Sequence, residues 1–242
     1  LLPAYNEAPE IEPLFATVDE MTGELNEPLE IVLVDDGSSD GTADTAESTP
    51  CQAAVTAVRH KQNKGLGGAL QTGFSTIAGK SSQEDDVIIT MDTDNTHSPT
   101  YIPRMVDKLR EENLDLVVAS RYAPGGEEIG VPFHRRMLSR AASVFYQGFY
   151  RTPGIRDYTC GYRAYRAGII RQAIDRFGDK FVEERGFPST GEILLKIRAL
   201  SNRMGEVPFS LHYEMKHTPS KMPKIQTVLH TLRILLKYRS LG

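Results

Sequence analysis

Cysteine occurs only twice in these 242 residues, at Cys51 and Cys160, far apart and without paired spacing. That excludes a disulfide framework and a cysteine zinc site, and it fits a reducing, cytosolic compartment. No run of about 18 apolar residues is present, so none of the sequence is expected to span a bilayer, and no signal-peptide pattern is read at its start. Excess positive charge is missing too. The formal net charge is -4 at pH 7, which argues against a general nucleic-acid partner, whose footprint would be basic. Repeats and low-complexity segments are also absent, and 40% apolar content over this length can bury one large core. The opening Leu1 to Tyr5 reads as the end of a strand whose beginning is missing, and Ile225 to Gly242 stops without a clear cap.

What is there is a regular alternation. Ile11, Leu14, Phe15, Val18 and Met21 recur at helical spacing after a first short strand at 1–4. Leu29 to Val34, Ala53 to Arg59, Val87 to Met91 and Leu114 to Ala119 read as further strands, with helical stripes between them. Ser98 is the expected cap and Pro99 the first residue of one of these helices. Such a rhythm over the first 120 residues predicts an α/β fold: a mostly parallel twisted sheet, joined by right-handed crossovers and flanked by helices. Beyond Gly126 the spacing predicts a long helix from Phe133 to Phe149, a strand through Arg156 to Tyr165, helices over 167–177 and 192–200, and a strand over 203–211. We divide the chain into a catalytic domain at 1–212 and an appendage at 213–242. In the appendage Ile225, Val228, Leu229, Leu232, Leu235 and Leu236 line one face of a basic amphipathic helix. That helix either lies in an anionic membrane surface or packs on its own domain.

The chemistry-bearing residues cluster at strand ends. Asp92 and Asp94 share a side of an extended chain, because side chains alternate with a period of two, so both can reach one hard cation. In an α/β sheet the ligand site lies beyond the strand carboxyl ends, where Tyr5, Glu7, Asp35, Asp36, Asp92 and Asp94 all fall. Two tempting motifs fail. Gly65 to Leu70 is not a dinucleotide fingerprint, since Leu70 occupies the third glycine's place, and Gly79-Lys80-Ser81 lacks the upstream glycine of a phosphate loop.

Pro3-Ala4-Tyr5-Asn6-Glu7, Asp35-Asp36-Gly37-Ser38-Ser39-Asp40-Gly41-Thr42, Asn63-Lys64-Gly65 and Asp92-Thr93-Asp94 resemble, in order, the blocks of the inverting family-two glycosyltransferases of GT-A fold. Ser120-Arg121-Tyr122, the Arg135 to Ser139 helix, Arg156 to Arg163, Glu206-Val207-Pro208 and Ser220-Lys221-Met222 are similar to the polyprenyl-phosphate and dolichol-phosphate sugar transferases within it. The resemblance implies metal-dependent transfer of a hexose from a nucleotide-diphosphate sugar to a polyprenyl phosphate, by a peripheral protein at the cytosolic membrane face. It implies a nucleoside pocket of Pro3, Tyr5, Glu7, Asp35 or Asp36, and Lys64. Mg²⁺ or Mn²⁺ would sit on Asp94, with Asp92 beside it or on the ribose and Thr96 in a third position. His97 is read either as a further ligand or as a turn residue. Arg121, Arg135 and Ser139 would hold the acceptor phosphate, with guanidinium forks and a hydroxyl suited to its oxygens. Lys216, Ser220 and Lys221 would form a lid over the diphosphate. Two other readings stand beside this one. One is transfer to a sugar hydroxyl in surface-polysaccharide synthesis, with Asp157 as base; the other is a non-catalytic nucleotide-sugar-binding module.

Overall fold

The computed structural model describes residues 1–25, 27–80, 83–150, 152–215 and 237–238. Three parallel strands open the chain in the order β1 (Leu2–Ala4), β2 (Glu30–Asp35), β3 (Ala54–Arg59). Ile31 to Val34 are buried on both faces of β2, as expected of an unbroken run of β-branched and aliphatic residues covered by helices. Helices α1 (Ala8–Thr22), α2 (Thr42–Ser48) and α3 (Gly65–Lys80) make the crossovers. Leu1 extends this layer sideways. Its amine donates to Ile89 O at 2.7 Å, and its carbonyl accepts from Met91 N at 3.2 Å, so β1 borders β4 (Val87–Thr90).

The second group of strands runs β4, β7 (Arg163–Arg166), β5 (Leu116–Ser120), β8 (Met204–Pro208). Strands β4 and β5 are parallel to one another, as the alternation predicts, but they are not neighbours. Strand β7 lies between them, antiparallel to both. The chain leaves the sheet after β5, makes β6 (Glu127–Ile129) and helix α5 (Phe133–Tyr150), and returns in the opposite direction. Helices α4 (Ile102–Glu111), α6 (Ala167–Phe177) and α7 (Pro188–Arg198) complete the cover. Helix α4 buries Ile102, Met105, Val106 and Leu109, one stripe at the 3.6-residue period. Ser98 caps the 3₁₀ turn before it, accepting from Thr100 N.

Two expected strands are shorter in the structure. The 156–165 strand is reduced to β7, because side-chain carboxylates take the backbone donors that a ladder would use. Glu206 Oε1 accepts from Arg156 N and Asp157 N at 2.7 Å each, and Asp157 Oδ1 from Thr159 N and Cys160 N at 3.1 Å. The 203–211 strand breaks at Phe209 into β8 and β9 (Ser210–His212), and β9 pairs with β6, which periodicity did not mark. The proposed appendage lies largely outside the described residues. Among those residues no helix is long and apolar enough to cross a membrane.

Helix α3 is seated against the 182–186 loop so closely that its glycines are required. Gly67 N donates to Arg185 O at 3.1 Å, and a Cβ at Gly67 would collide with the Glu184 carbonyl. Alanine ordinarily favours a helix over glycine by about 1 kcal/mol. Here Gly67→Ala is expected to destabilise by about 1–3 kcal/mol through overpacking, read as a lower urea midpoint. A raised midpoint would contradict this seating.

Candidate active site

A cavity of about 870 Å³ opens beyond the carboxyl ends of β1 and β4, between the sheet, α5 and the start of α7. Its acidic end is the 92–98 segment, braced on every side. Thr93 Oγ1 donates to Pro3 O at 3.0 Å, and Asn95 Nδ2 to Glu10 Oε2 at 2.8 Å. Asn95 sits at φ 57°, a left-handed turn that Asn tolerates. Tyr162 OH donates to Ser98 O at 2.9 Å. Within this frame Asp92 and Asp94 both line the cavity. Asp94 Oδ1 accepts from Thr96 Oγ1 at 2.6 Å and from Thr96 N at 3.2 Å. Thr96 therefore orients Asp94. His97 also lines the cavity: its Nδ1 accepts from Asp92 N at 3.2 Å, and its ring stacks on Tyr162 at 5.2 Å.

Among the described residues no cluster of three acidic, histidine or cysteine side chains could hold a metal alone. Two carboxylates on one wall are nonetheless the donor set for a hard cation that takes its remaining oxygens from water and a diphosphate. Asp92 and Asp94 fit that pattern.

Pro3, Tyr5 and Glu7 line the same cavity, with the Glu7 backbone held by Thr42 Oγ1 at 3.0 Å. Asp35 and Asp36, consecutive on an extended strand, diverge. Asp35 accepts from Ser38 N at 2.8 Å and borders a neighbouring hollow rather than the main cavity. Asp36 reaches the cavity wall, and its carboxylate accepts from Lys64 N at 2.8 Å, Gly65 N at 2.7 Å and His60 Nδ1 at 2.7 Å. Of the pair only Asp36 lines the main cavity, and its bonds also pin the 63–65 loop. Lys64 takes part through its backbone, while Asn63 and Gly65 line the wall.

Arg121, Arg135 and Ser139 line the same cavity. Arg121 follows β5 directly and is gripped by Asp157 in a fork, Nε to Oδ2 at 2.8 Å and Nη2 to Oδ1 at 2.8 Å. Nη2 also donates to Thr159 Oγ1 at 2.7 Å. Burial acts to lower the guanidinium and to raise the carboxyl. Their mutual charge and hydrogen bonds outweigh it, so Arg121 titrates well above its ordinary value and Asp157 below. This corrects one expectation. Asp157 is wholly buried, does not line the cavity, and is committed to Arg121, so it serves as the arginine's anchor rather than as a base. Arg135 donates from Nη1 to Tyr213 OH at 2.8 Å, with its guanidinium 5.5 Å from that ring.

Some residues of the site carried no sequence signal. Arg185 lines the cavity and donates to Lys64 O at 3.3 Å, and Tyr213 holds Arg135. Arg185 sits in a loop and Tyr213 in the 3₁₀ turn Tyr213–Met215, neither with a motif. The α5 wall of Leu138, Ala141, Ala142 and Phe145 is equally unannounced. Lys216, Ser220 and Lys221, expected as the lid, lie outside the described residues.

A helix-flanked sheet with acids at its strand ends is the architecture of the GT-A fold, and the family match makes the chain a glycosyltransferase. The whole chain superposes on glucosyl-3-phosphoglycerate synthase from Mycobacterium tuberculosis, solved with Mn²⁺, UDP and glucosyl-3-phosphoglycerate, with a TM-score of 0.67 at 17% identity over 79% of that chain. The chain belongs to glycosyl transferase family 2, whose model matches residues 1–173. Its relatives include the undecaprenyl-phosphate mannosyltransferase of Micrococcus luteus, 35% identical over 87% of this chain and 81% of that protein. The dolichol-phosphate mannosyltransferase of Pyrococcus furiosus is 32% identical over 87% of this chain, which spans 55% of its length. The polyprenol monophosphomannose synthase of Mycolicibacterium smegmatis is 32% identical over 87% of this chain and 75% of its own.

Removing one partner of a buried pair leaves the other charge uncompensated, so Asp157→Asn is expected to lower stability by about 3–5 kcal/mol in denaturant titration. Asp157 titrates below its ordinary 3.8 in the fold, so its contribution is full above that pH and is lost as pH falls through the folded value. Stability of the variant should therefore depend less on pH below about 4 than that of the parent. Equal acid limbs would rule out the pair as the anchor.

Proposed function

We propose that the protein transfers one hexose, with inversion, from a nucleoside-diphosphate sugar to a polyprenyl phosphate at the cytosolic face of a membrane. The observation that carries the reading is one cavity lined both by carboxylates, Asp92 and Asp94, and by the cations Arg121 and Arg135 with Ser139. A donor diphosphate belongs at the first and an acceptor phosphate at the second. The names of the three relatives support the acceptor class, and mannose is the sugar in each, making it the first donor sugar to assay.

An oxygen of the acceptor phosphate attacks the anomeric carbon while the bond from that carbon to the diphosphate oxygen breaks, and the nucleoside diphosphate leaves. A phosphate monoester is already anionic at neutral pH, so no side chain has to take a proton. Arg121 and Arg135 orient the nucleophile by charge-assisted hydrogen bonds. Asp92 and Asp94 would hold Mg²⁺ or Mn²⁺, which supplies charge neutralisation for the leaving diphosphate. Pro3, Tyr5 and Glu7 face the nucleoside, with Asp36 and Lys64 shaping the loop beside it.

The lipid side has its own support. Leu138, Ala141, Ala142 and Phe145 form an apolar cavity wall on α5, and Phe145 is also half exposed. It joins Phe133, Met137, Val144 and Phe149, all exposed, on a helix that carries Arg135, Arg136 and Arg140. Apolar side chains flanked by arginines are suited to the headgroup boundary of an anionic leaflet. Transfer to a sugar hydroxyl fits less well, since it needs a base and Asp157 is spent on Arg121.

Labelled hexose from a nucleotide donor is expected to enter an organic-extractable, acid-labile product only with a divalent metal and polyprenyl phosphate. Asp94→Ala should reduce this at least about 100-fold. Full transfer without metal, or by that variant, would overturn the reading. Arg135→Ala should raise the acceptor KM about tenfold with the donor KM unchanged, because a lost charge-assisted bond is worth about 1.5–3 kcal/mol. An unchanged acceptor KM would remove Arg135 from the acceptor site.

A further inference from the structure

A buried network stands behind the 183–185 loop and has no part in the chemistry described so far. Glu192 and Lys196 of α7, both almost wholly buried, pair at 2.8 Å. Glu192 Oε2 accepts from Glu183 N at 3.0 Å and from Glu184 N at 2.8 Å, and Tyr238 OH donates to Glu192 Oε1. A carboxylate and an ammonium taken out of water together add little stability by themselves, so what they hold is the better guide to their use. They hold the loop. From the other side Gly67 N of α3 donates to Arg185 O at 3.1 Å. The backbone at Arg185 is thus clamped between two helices, while the residue itself is exposed and lines the cavity.

Among the described residues three with permanent positive charge line the cavity: Arg121, Arg135 and Arg185. Arg121 is engaged by Asp157, and Arg135 donates to Tyr213. Arg185 has no carboxylate partner among the described residues. Its Nε and Nη2 reach only the carbonyls of Lys64 and Asn63, at 3.3 and 3.5 Å. Contacts of that length are weak, and a phosphate oxygen is the stronger acceptor that matches a guanidinium fork.

The position of Arg185 says which phosphate. The Lys64 and Asn63 carbonyls belong to the loop that Asp36 pins, beside the proposed nucleoside pocket. From there the chain runs along the cavity through Gly186, Phe187, Pro188 and Thr190. Thr190 in turn lies near Asp92: a Cβ on Gly161 would be 3.5 Å from Thr190 Cγ2 and 3.7 Å from Asp92 Oδ1. A donor with its nucleoside by Asp36 and its metal on Asp92 and Asp94 lays its diphosphate along this segment. A divalent cation offsets the two aspartates and leaves the charge of the diphosphate itself unmet. We infer that Arg185 binds a phosphate oxygen of the donor diphosphate, and that the Glu192 and Lys196 pair holds the loop in place for it. The inference rests on the donor reading given under Proposed function and adds a binding residue to that end of the site.

Calorimetric titration in Mg²⁺ with GDP and with UDP, and with inorganic diphosphate by displacement of the better-bound of the two, tests it on the intact chain and on Arg185→Ala. The nucleotide and inorganic diphosphate should each bind about tenfold more weakly to the variant. Affinity for a short prenyl phosphate and the melting temperature should stay unchanged. Unchanged nucleotide affinity overturns the inference. So does a loss confined to the nucleotide, which marks a base or ribose contact, or an equal loss for prenyl phosphate, which puts Arg185 at the acceptor. A lowered melting temperature assigns the side chain to the structure of the loop and overturns it as well. A parent that binds nucleotide but transfers nothing to polyprenyl phosphate refutes the proposed function alone. A parent that binds neither GDP nor UDP refutes both.

Discussion

A guanidinium buried against a wholly buried carboxylate, Arg121 on Asp157, is the interaction on which the rest of the site depends. Neither charge could be taken out of water alone, and together they tie the end of β5 to the 157–160 turn. That turn is held in its own right by Glu206 from β8, which accepts from both Arg156 N and Asp157 N. The pair therefore positions Gly161 and the entry into β7, and with them one wall of the cavity. Arg121 reaches that wall as a fixed donor rather than as a mobile side chain. Arg135 differs, lying on α5 and donating to Tyr213 in the 3₁₀ turn Tyr213–Met215. One arginine is built into the sheet and the other into the helix that faces it.

The acidic part of the cavity follows a different logic. Asp92 and Asp94 are set by short-range bonds within one loop, and that loop is in turn pinned to α1 through Asn95 and to β1 through Thr93.

Periodicity made the strands and helices of the first 120 residues legible, since each buries one stripe or one unbroken run. Acids at strand ends were legible for the same reason, while Arg121, Arg135 and Ser139 came from the family resemblance alone; all five, Asp92 and Asp94 included, line one cavity. The roles inside the site were harder. Nothing local distinguishes Asp35 from Asp36, and only tertiary bonds from the 60–65 loop decide which of them faces the cavity. Asp157 looked like a base because it is an acid near the site; its complete burial against Arg121 reverses that reading. The alternation over 156–165 holds only from Tyr158 to Tyr162, since Asp157 and Arg163 to Tyr165 are buried as well, and carboxylates from Asp157 and Glu206 replaced the ladder before Arg163. Arg185 and Tyr213 gain their places from segments distant in sequence, which no window of residues could reveal.

The central claim is that a metal-bound diphosphate and a lipid phosphate occupy two ends of one cavity at the same time. Paramagnetic relaxation tests this most directly: the ³¹P signal of a short, water-soluble prenyl phosphate, observed with protein, Mn²⁺ and nucleoside diphosphate present. The account predicts strong relaxation of that signal by the bound Mn²⁺, lost when Arg121 and Arg135 are both replaced by alanine. A prenyl phosphate that binds yet is relaxed no more than free phosphate in bulk solution would contradict it.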